Sequence, residues 1–370
     1  MRVLGRRWAR ASGAVAGAVL AVLESGLAAA ALGCGADPIE PAQVCSAAVT
    51  RRCWEPLGLE GRYVTTVAAT PMGLFAGGFS DGVFRLDSAS GAWVSLGLDH
   101  AIVSSLLYVP ADAARLLVGV MPRSQEQTDA AIFATEDGGQ TWRPWDGGLA
   151  QQYGRRLWAY SLAMDPGDPK VLFWGGDAEI LRSRDGGATW EFVYGRATYL
   201  GGGVLSLLVS PRRDGNVWAG GQSAYGDGYV HHSRDWGDSW KFYSINVAAI
   251  LALAVDPSAP GTLWAGASGG VMSSDDGGET WQVRFRGLDG FGGMVFLNDE
   301  FYVFGRVVSP DDSVHAKGRM AAFRSPNHAV TWETLPVPPN VAAATALGVD
   351  SRGRLVVGTN ASGVWRYTPD

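Results

Sequence analysis

Short apolar runs separated by turn residues recur along most of the chain after residue 45. A clear set lies at residues 250–255, 262–266, 270–273 and 280–283, with Pro, Gly, Ser and Asp in the gaps. Apolar runs bounded by such residues are typical of β-strands, and connections this short join antiparallel neighbours. The pattern therefore predicts units of four antiparallel strands.

The second strand of each unit has a constant mark. A glycine closes it, and a large or branched residue lies two positions earlier. The glycines are Gly77, Gly119, Gly175, Gly220, Gly266, Gly305 and Gly358, and the residues two before them are Phe75, Leu117, Phe173, Trp218, Trp264, Val303 and Val356. This mark predicts seven units.

A phrase ending in tryptophan precedes the fourth strand of most units. It reads TEDGGQTW at 135–142, SRDGGATW at 183–190, SRDWGDSW at 233–240 and SDDGGETW at 274–281. A more divergent copy, SPNHAVTW, lies at 325–332. Repeats spaced by roughly forty to fifty residues indicate four-stranded propeller blades. The tryptophans of the predicted fourth strands are Trp54, Trp93, Trp142, Trp190, Trp240, Trp281 and Trp332.

The two ends of the chain complement each other. Trp54 has no three strands before it, and the last unit, residues 342–367, has no fourth strand after it. We therefore expect residues 53–57 to complete the last blade, because a ring closed in this way leaves no sheet edge exposed. The expected fold is an all-β, seven-bladed β-propeller of four-stranded antiparallel blades, formed as one domain by residues 45–370.

The repeated phrase resembles the Asp-box, or bacterial neuraminidase repeat, of β-propellers. The resemblance implies that each box forms the turn between the third and fourth strands and has a structural role. That role falls to Asp137 and Trp142, Asp185 and Trp190, Asp235 and Trp240, and Asp276 and Trp281. In the related propellers the boxes lie on the face opposite the ligand site, so we look for function on the other face, called the top face below.

Residues 1–34 are predicted to be a targeting segment. Arg2, Arg6, Arg7 and Arg10 precede an apolar stretch, and small residues lead up to Cys34. This arrangement resembles a bacterial lipoprotein signal, in which Cys34 would be acylated, with residues 35–44 as a short linker. We expect an exported, lipid-anchored protein of the cell envelope, at the outer membrane in a Gram-negative host. Plain secretion and an uncleaved anchor are the alternatives.

Composition and charge limit the types of partner that can be expected. The chain has 51 Gly and 15 Trp, and its formal net charge is −6. Removal of residues 1–34, which carry four arginines and one glutamate, makes the charge −9, which argues against a nucleic-acid partner. Cys45 and Cys53 form an even pair in an exported chain and predict one disulfide. Neither a metal site nor a cofactor is expected.

Candidate binding residues lie in the loops predicted for the top face. Tyrosine and arginine are enriched in binding hot spots, and a carboxylate pair is what glycoside hydrolysis needs. The candidates are Tyr153, Arg155, Arg156, Asp177, Arg196, Tyr199, Tyr225 and Asp289. None of them is assigned a catalytic role, and further acids of these loops, among them Glu179 and Asp227, show no distinctive pairing.

Two classes of function remain open. A lone exported ring resembles the photosystem II stability/assembly-factor-like propellers, which implies a non-catalytic, monomeric scaffold with a protein partner on the top face. The alternative is a carbohydrate-active hydrolase, similar to sialidases or xyloglucanases, or a lectin that binds a glycan there. The Phe-Arg-Ile-Pro motif of sialidases is absent, and xyloglucanases of this architecture use two propellers. The scaffold is the leading hypothesis.

Overall fold

The computed structural model describes residues 43–46, 49, 52–110, 114–122, 130–149, 157–195, 202–288, 290–307, 319–338 and 340–369. Every regular element of this part of the chain with assigned bounds is a β-strand. The first strands, in chain order, are β1 (Gln43–Val44), β2 (Cys53–Thr70), β3 (Gly73–Gly78), β4 (Val83–Leu86) and β5 (Trp93–Ser95).

Five sheets of four strands follow, and each is an antiparallel meander in chain order. They consist of β6 (Ala101–Tyr108), β7 (Leu116–Pro122), β8 (Ile132–Thr135) and β9 (Arg143–Pro144); of β10 (Ser161–Asp165), β11 (Asp168–Gly175), β12 (Ile180–Ser183) and β13 (Glu191–Tyr194); of β14 (Gly202–Val209), β15 (Val217–Ser223), β16 (Gly228–Ser233) and β17 (Lys241–Ile245); of β18 (Ile250–Val255), β19 (Leu263–Ala267), β20 (Gly270–Ser274) and β21 (Gln282–Arg286); and of β22 (Gly290–Leu297), β23 (Glu300–Val307), β24 (Arg319–Ser325) and β25 (Glu333–Leu335).

The last two strands, β26 (Ala344–Val349) and β27 (Leu355–Thr368), join the first ones. One sheet of seven strands results, in the order β26-β27-β2-β3-β4-β5, with β1 paired to β2 in parallel. β2 pairs with β27 through residues 53–63 and continues without a break into its pairing with β3.

The prediction of seven blades is wrong. The described residues form six sheets, and therefore six blades when a blade is one hydrogen-bonded sheet. The difference has one cause: the blades expected at the start and at the end of the chain share β2, and β27 also runs through its turn at Gly363 without interruption. The all-β propeller itself is confirmed.

In six of the seven units, the glycine that closes the second strand lies against the next unit, whereas Gly305 lies against its own sheet. A Cβ atom added to Gly266 would lie 2.0 Å from Cζ of Phe291 on the following inner strand, and one on Gly220 would lie 2.5 Å from Cγ2 of Ile250. Real Cβ atoms do not come this close to carbon, so only glycine allows this packing. The repeated glycine therefore marks the contact between neighbouring sheets.

Hydroxyl groups on the inner strands connect neighbouring sheets further. Ser161 donates from Oγ to the carbonyl oxygen of Val204 at 2.8 Å, and Oγ of Ser206 accepts from the backbone N–H of Leu253 at 2.9 Å. Thr65 donates in the same way to Val103 on β6. Each of these bonds satisfies a buried polar group while it joins two sheets.

The disulfide lies beside the closure of the ring. Cys45 and Cys53 are bonded, with their Cα atoms 4.9 Å apart, and Cys53 begins β2. The neighbouring Trp54 is fully buried against Phe304 and Tyr367. The N-terminal part of β2 is thereby attached both to β1 and to the core.

Candidate functional site

The five phrases that end in tryptophan, called the Trp turns below, share one set of hydrogen bonds. In the turn of 183–190, Ser183 donates to the Asp185 carboxylate at 2.8 Å and accepts from the N–H of Gly187 at 2.7 Å. The same carboxylate accepts from Thr189, at 2.8 Å from the backbone N–H and at 2.6 Å from Oγ1. The carboxylate thus replaces backbone partners inside the turn, as expected of an Asx-type motif.

These hydrogen bonds stabilise the charged form of each carboxylate. Bonds from Ser239 lower the pKa of Asp235 to about 2, and bonds from Thr280 lower the pKa of Asp276 to about 2. Their oxygens are already bonded within the turn, so these aspartates are poor proton donors and poor nucleophiles. The structure is consistent with a structural role for the Trp turns.

The divergent copy at 325–332 keeps the geometry of the turn, with the amide of Asn327 in place of the aspartate carboxylate. Oδ1 of Asn327 accepts from the N–H of Thr331 at 2.8 Å, and the N–H of Ala329 donates to Ser325 Oγ at 2.8 Å. His328 then bonds through Nδ1 to Asp256 of the neighbouring sheet at 2.5 Å. An uncharged Asn can fill the turn because it offers the same acceptor at the same place.

Of the eight candidate binding residues predicted for the top face, two lie in the described part of the chain. Asp177 lies in the loop between β11 and β12, and Tyr225 lies at the tip of the β15–β16 hairpin, where it is 81% exposed. Six others lie outside the described residues: Tyr153, Arg155, Arg156, Arg196, Tyr199 and Asp289. The linker and Cys34 also lie outside, apart from Gln43 and Val44.

Asp177 belongs to a compact group that we call the top cluster: Trp158, Tyr160, Asp177, Glu179 and Tyr229. The backbone of Asp177 bridges to Gly203 on β14, and the hydroxyl of Tyr229 donates to the carbonyl oxygen of Gly203 at 3.0 Å. Trp158 packs edge-on against Tyr160, with ring centroids 6.0 Å apart. Two neighbouring sheets therefore supply the cluster.

Burial and charge act together on the tyrosines of this cluster. Burial raises the pKa of Tyr160 well above its ordinary value, and the charge of Asp177 raises it further. Burial likewise raises the pKa of Tyr229. Tyr160 is 7% exposed, and its hydroxyl has no hydrogen-bond partner among the described residues. A buried hydroxyl without a partner is unusual in a folded protein and marks a place where a ligand could bond.

The cluster combines groups that suit carbohydrate chemistry. Asp177 is half-buried and Glu179 is almost fully buried, two residues apart on one loop. Trp158 is partly exposed and can offer a ring face to the apolar side of a sugar. Asp177 and Glu179 were predicted for the top face from the sequence, but Tyr160 and Tyr229 were not, because their sequence positions do not reveal that they meet Asp177.

A cavity of about 320 Å³ lies on the other side, at the Trp turns. It is formed between the sheet of β14–β17 and the sheet of β18–β21, and its polar walls include Arg212, Asp214, His232, Arg234 and Thr262. No binding site was predicted from the sequence for the face that carries the Trp turns. The residue before each Trp turn, which is His232 here and Arg182 in the previous sheet, was the signal that could have indicated it.

The described residues contain neither a membrane-spanning helix nor a cluster of metal-binding side chains. Within the ranges given above, no helix is long and apolar enough to span a membrane. Nor do the described side chains include a group of three or more His, Cys, Asp or Glu residues placed to hold a metal ion.

Curated proteins similar to this chain are xyloglucanases. The oligoxyloglucan-reducing end-specific xyloglucanase of Emericella nidulans is 29% identical over 198 residues, which are 49% of this chain and 24% of that protein. A probable enzyme of the same name from Neosartorya fischeri is 26% identical over 243 residues, 61% of this chain and 26% of that protein. The chain thus spans about a quarter of the length of these relatives, and no protein-family model matches it.

The solved structures with a similar fold include a xyloglucanase and YCF48. The GH74 xyloglucanase from Xanthomonas campestris has a TM-score of 0.61 and 17% identity, over 85% of this chain and 53% of that chain. YCF48 from Cyanidioschyzon merolae has a TM-score of 0.60 and 13% identity, over 85% of this chain and 98% of that chain. The chain is an all-β propeller with xyloglucanase and YCF48 structures among its neighbours, and at these identities the likeness shows the fold alone.

Proposed function

We propose that the protein is a carbohydrate-active β-propeller that binds a glycan at the top cluster and hydrolyses it with Asp177 and Glu179. The observation that carries the proposal is the meeting of a half-buried carboxylate with two buried tyrosines and a partly exposed tryptophan. The matches to curated xyloglucanases support this alternative more than the scaffold hypothesis, because both curated matches are named for that activity.

Each member of the cluster has a part in this proposal. The half-buried Asp177 would contact the sugar at the reacting bond, and Glu179, which is 3% exposed, would supply the second carboxyl group. Tyr160 would donate its unbonded hydroxyl to the sugar, since burial keeps this group protonated. Trp158 would stack on the sugar ring. The Asp-box identity of the Trp turns is part of the same proposal, and their aspartates take no part in the reaction.

The test measures release of reducing ends from xyloglucan oligosaccharides, and from other glycosides, by the chain without residues 1–34. We expect Asp177→Asn to lower turnover about 100-fold or more, the range of a lost acid or base. The matched control is Asp227→Asn, since Asp227 lies at the exposed β15–β16 hairpin, and it should leave turnover unchanged. Equal activity of the two variants, or binding of glycans without any turnover, would contradict a hydrolase at this site.

Export and lipid attachment are proposed together with this function. The proposal rests on the sequence of residues 1–34, with Cys34 as the acylated residue. Mass spectrometry of the N-terminal peptide from the membrane fraction would show a diacyl or triacyl group on Cys34. An unmodified Cys34 in that fraction would refute the lipid anchor.

A further inference from the structure

The cavity at the Trp turns lies at a junction where His232 takes the place that Arg182 has in the previous sheet. In the previous junction, Arg182 of β12 reaches across to the following sheet. It donates to the carbonyl oxygen of Trp236 at 2.5 Å and to the carboxylate of Asp238 at 2.7 Å, and it is 5% exposed. The guanidinium group fills the space between those two sheets.

His232 occupies the equivalent position in the next sheet. Both residues directly precede the first residue of a Trp turn, and both pair with the large residue of the second strand, Arg182 with Phe173 and His232 with Trp218. The imidazole stacks on Trp218, with ring centroids 5.0 Å apart at 14°. It bonds to Asn216 of its own sheet at 2.8 Å rather than to the following sheet.

The acceptors that an arginine would use are still present across this junction. Gly277 corresponds to Trp236 in the turn, and its carbonyl oxygen accepts from Nε1 of Trp218 at 2.9 Å. Glu279 corresponds to Asp238. Its carboxylate accepts from the hydroxyl of Tyr243 at 2.8 Å and lies 3.6 Å from Arg234 and 3.9 Å from Lys241. The uncharged side chain of His232 does not bridge the junction, and Gly277 stands where the previous turn has Trp236. A volume of about 320 Å³ is left between the two sheets.

Two arginines line this space, and the acids beside them are already bonded. Arg212 makes no ion pair with any other described residue, and Arg234 keeps only the loose contact to Glu279. The oxygens of Asp276 are bonded within the Trp turn to Thr280 and Ser274. Asp214 accepts from the N–H of Asn216 at 3.1 Å. The cationic groups therefore remain available to an external anion.

We propose that this cavity binds a small carboxylic acid of about the size of a sugar acid, with its carboxylate held by Arg212 and Arg234. The guanidinium group offers paired N–H donors that match the geometry of a carboxylate. Thr262, whose hydroxyl already donates to Asp275, and Asp214 can accept from hydroxyl groups of the ligand, and Trp218 and Leu263 form the apolar wall. The volume of about 320 Å³ is at the lower end of the range for small-molecule sites and suits a ligand of monosaccharide size.

His232 gives this binding a signature of its own. Burial and the charge of Arg234 lower the pKa of His232 to about 4, with Lys241 acting in the same direction and Glu279 and Asp214 against it. An anion in the cavity would favour the imidazolium form and raise this pKa. Nuclear magnetic resonance titration of His232 with and without the acid should show the rise.

The test compares D-glucuronate with D-glucose by isothermal titration calorimetry. We expect D-glucuronate to bind at least about tenfold more tightly, since one charge-assisted contact is worth about that much. Arg212→Gln and Arg234→Gln should each weaken the acid at least about fivefold. Arg184→Gln is the matched control, because Arg184 lies at the position of Arg234 in the previous Trp turn and does not line the cavity, and it should have no effect.

A substitution that closes the cavity provides the second arm. His232→Arg restores the arginine of the previous junction and should reach Gly277 and Glu279, so binding is expected to be lost without a fall in the melting temperature. The proposal fails if D-glucuronate does not bind, if D-glucose binds equally well, or if His232→Arg or both Arg variants bind as the original chain does. The site lies apart from the top cluster, so loss of hydrolysis in Asp177→Asn leaves this result unaffected.

Discussion

His231 lies among the rings of Tyr194, Tyr229 and Phe242, with ring centroids 4.2, 4.8 and 5.2 Å away. It is 4% exposed, and its Nδ1 atom has no hydrogen-bond partner among the described residues. Burial lowers the pKa of His231 from 6.5 to about 4. The side chain is therefore kept neutral in the folded protein, where the aromatic rings give no compensation for a charge.

This histidine makes the stability depend on pH in a definite direction. Because its pKa is lower in the folded protein, the unfolded chain binds the proton first as the pH falls below about 6.5. The contribution of this histidine to the free energy of unfolding should thus be fully present above about pH 6.5. Below that pH, the free energy of unfolding should fall by about 1.4 kcal/mol per pH unit for this histidine, down to about pH 4. His232 acts in the same direction.

Urea unfolding of the original chain and of His231→Phe between pH 7.5 and pH 4.5 measures the effect. In the variant, the free energy of unfolding should depend less steeply on pH, by about 1.4 kcal/mol per pH unit, which is the contribution of one proton. Phenylalanine fits among the rings and does not titrate. An unchanged slope in His231→Phe would show that this imidazole is not the group responsible.

At the scale of elements, four tryptophans at the outer strands join their sheet to the one before it. Nε1 of Trp190 donates to the carbonyl oxygen of Trp145 at 3.2 Å, and Nε1 of Trp142 donates to that of Leu96 at 2.7 Å. Trp54 and Trp332 make the same kind of bond. Trp93 bonds instead to Leu57 within its own sheet, and Trp240 and Trp281 bond within their own turns. The Trp turns therefore contribute to the cohesion of the ring in two different ways.

This difference can be measured with a matched pair of variants. Both variants lose one Nε1 hydrogen bond, but Trp190 is buried and Trp281 is partly exposed, so water can replace the lost bond only at Trp281. Trp190→Phe should therefore lower the free energy of unfolding by about 1 kcal/mol more than Trp281→Phe. Trp190 is also the more deeply buried, packed edge-on against Trp174 at 5.6 Å. Equal losses in chemical denaturation would show that the bonds between sheets add nothing beyond those within a turn.

At the scale of the whole molecule, the ring is closed by two strands from opposite ends of the chain. β2 and β27 pair from Cys53 opposite Thr368 to Tyr63 opposite Asn360, and the side chains of Arg366 and Glu55 form an ion pair across them. Gly363 has a φ of 72°, and a Cβ atom there would lie 2.1 Å from the carbonyl oxygen of Gly58. The closure therefore depends on a glycine.

Gly363→Ala should lower the melting temperature of the entire propeller, with a loss of at least about 2 kcal/mol beyond the backbone strain itself. Gly91→Ala is the control. Gly91 has a φ of 70°, and a Cβ atom added there would have no neighbour within 4 Å, so this variant measures the strain alone, about 1 kcal/mol. Differential scanning calorimetry distinguishes the two. Similar shifts in both variants would mean that the closure contributes little to global stability.

Much of the architecture could be predicted from local patterns. The glycines that close the second strands and the Trp phrases indicated a propeller, since each of these features reflects contacts that recur in every repeat. The predicted number of blades, seven, was wrong, because the described residues form six sheets. Whether the strands at the two ends form one sheet depends on the path of β2 beside β27, about 300 residues away in sequence, and no local pattern records that path.

The candidate sites show the same limit. Asp177 could be selected because it lies in a loop between the second and third strands, but its meeting with Tyr160 and Tyr229 depends on how two sheets pack. The cavity at His232 was visible in sequence only as one histidine where another repeat has Arg182. By itself the sequence determined the fold class, the turn chemistry and the order of the strands, because these follow from short-range periodicity. Only the tertiary structure decided which side chains meet and where space is left between sheets, because both depend on packing between residues far apart in the chain.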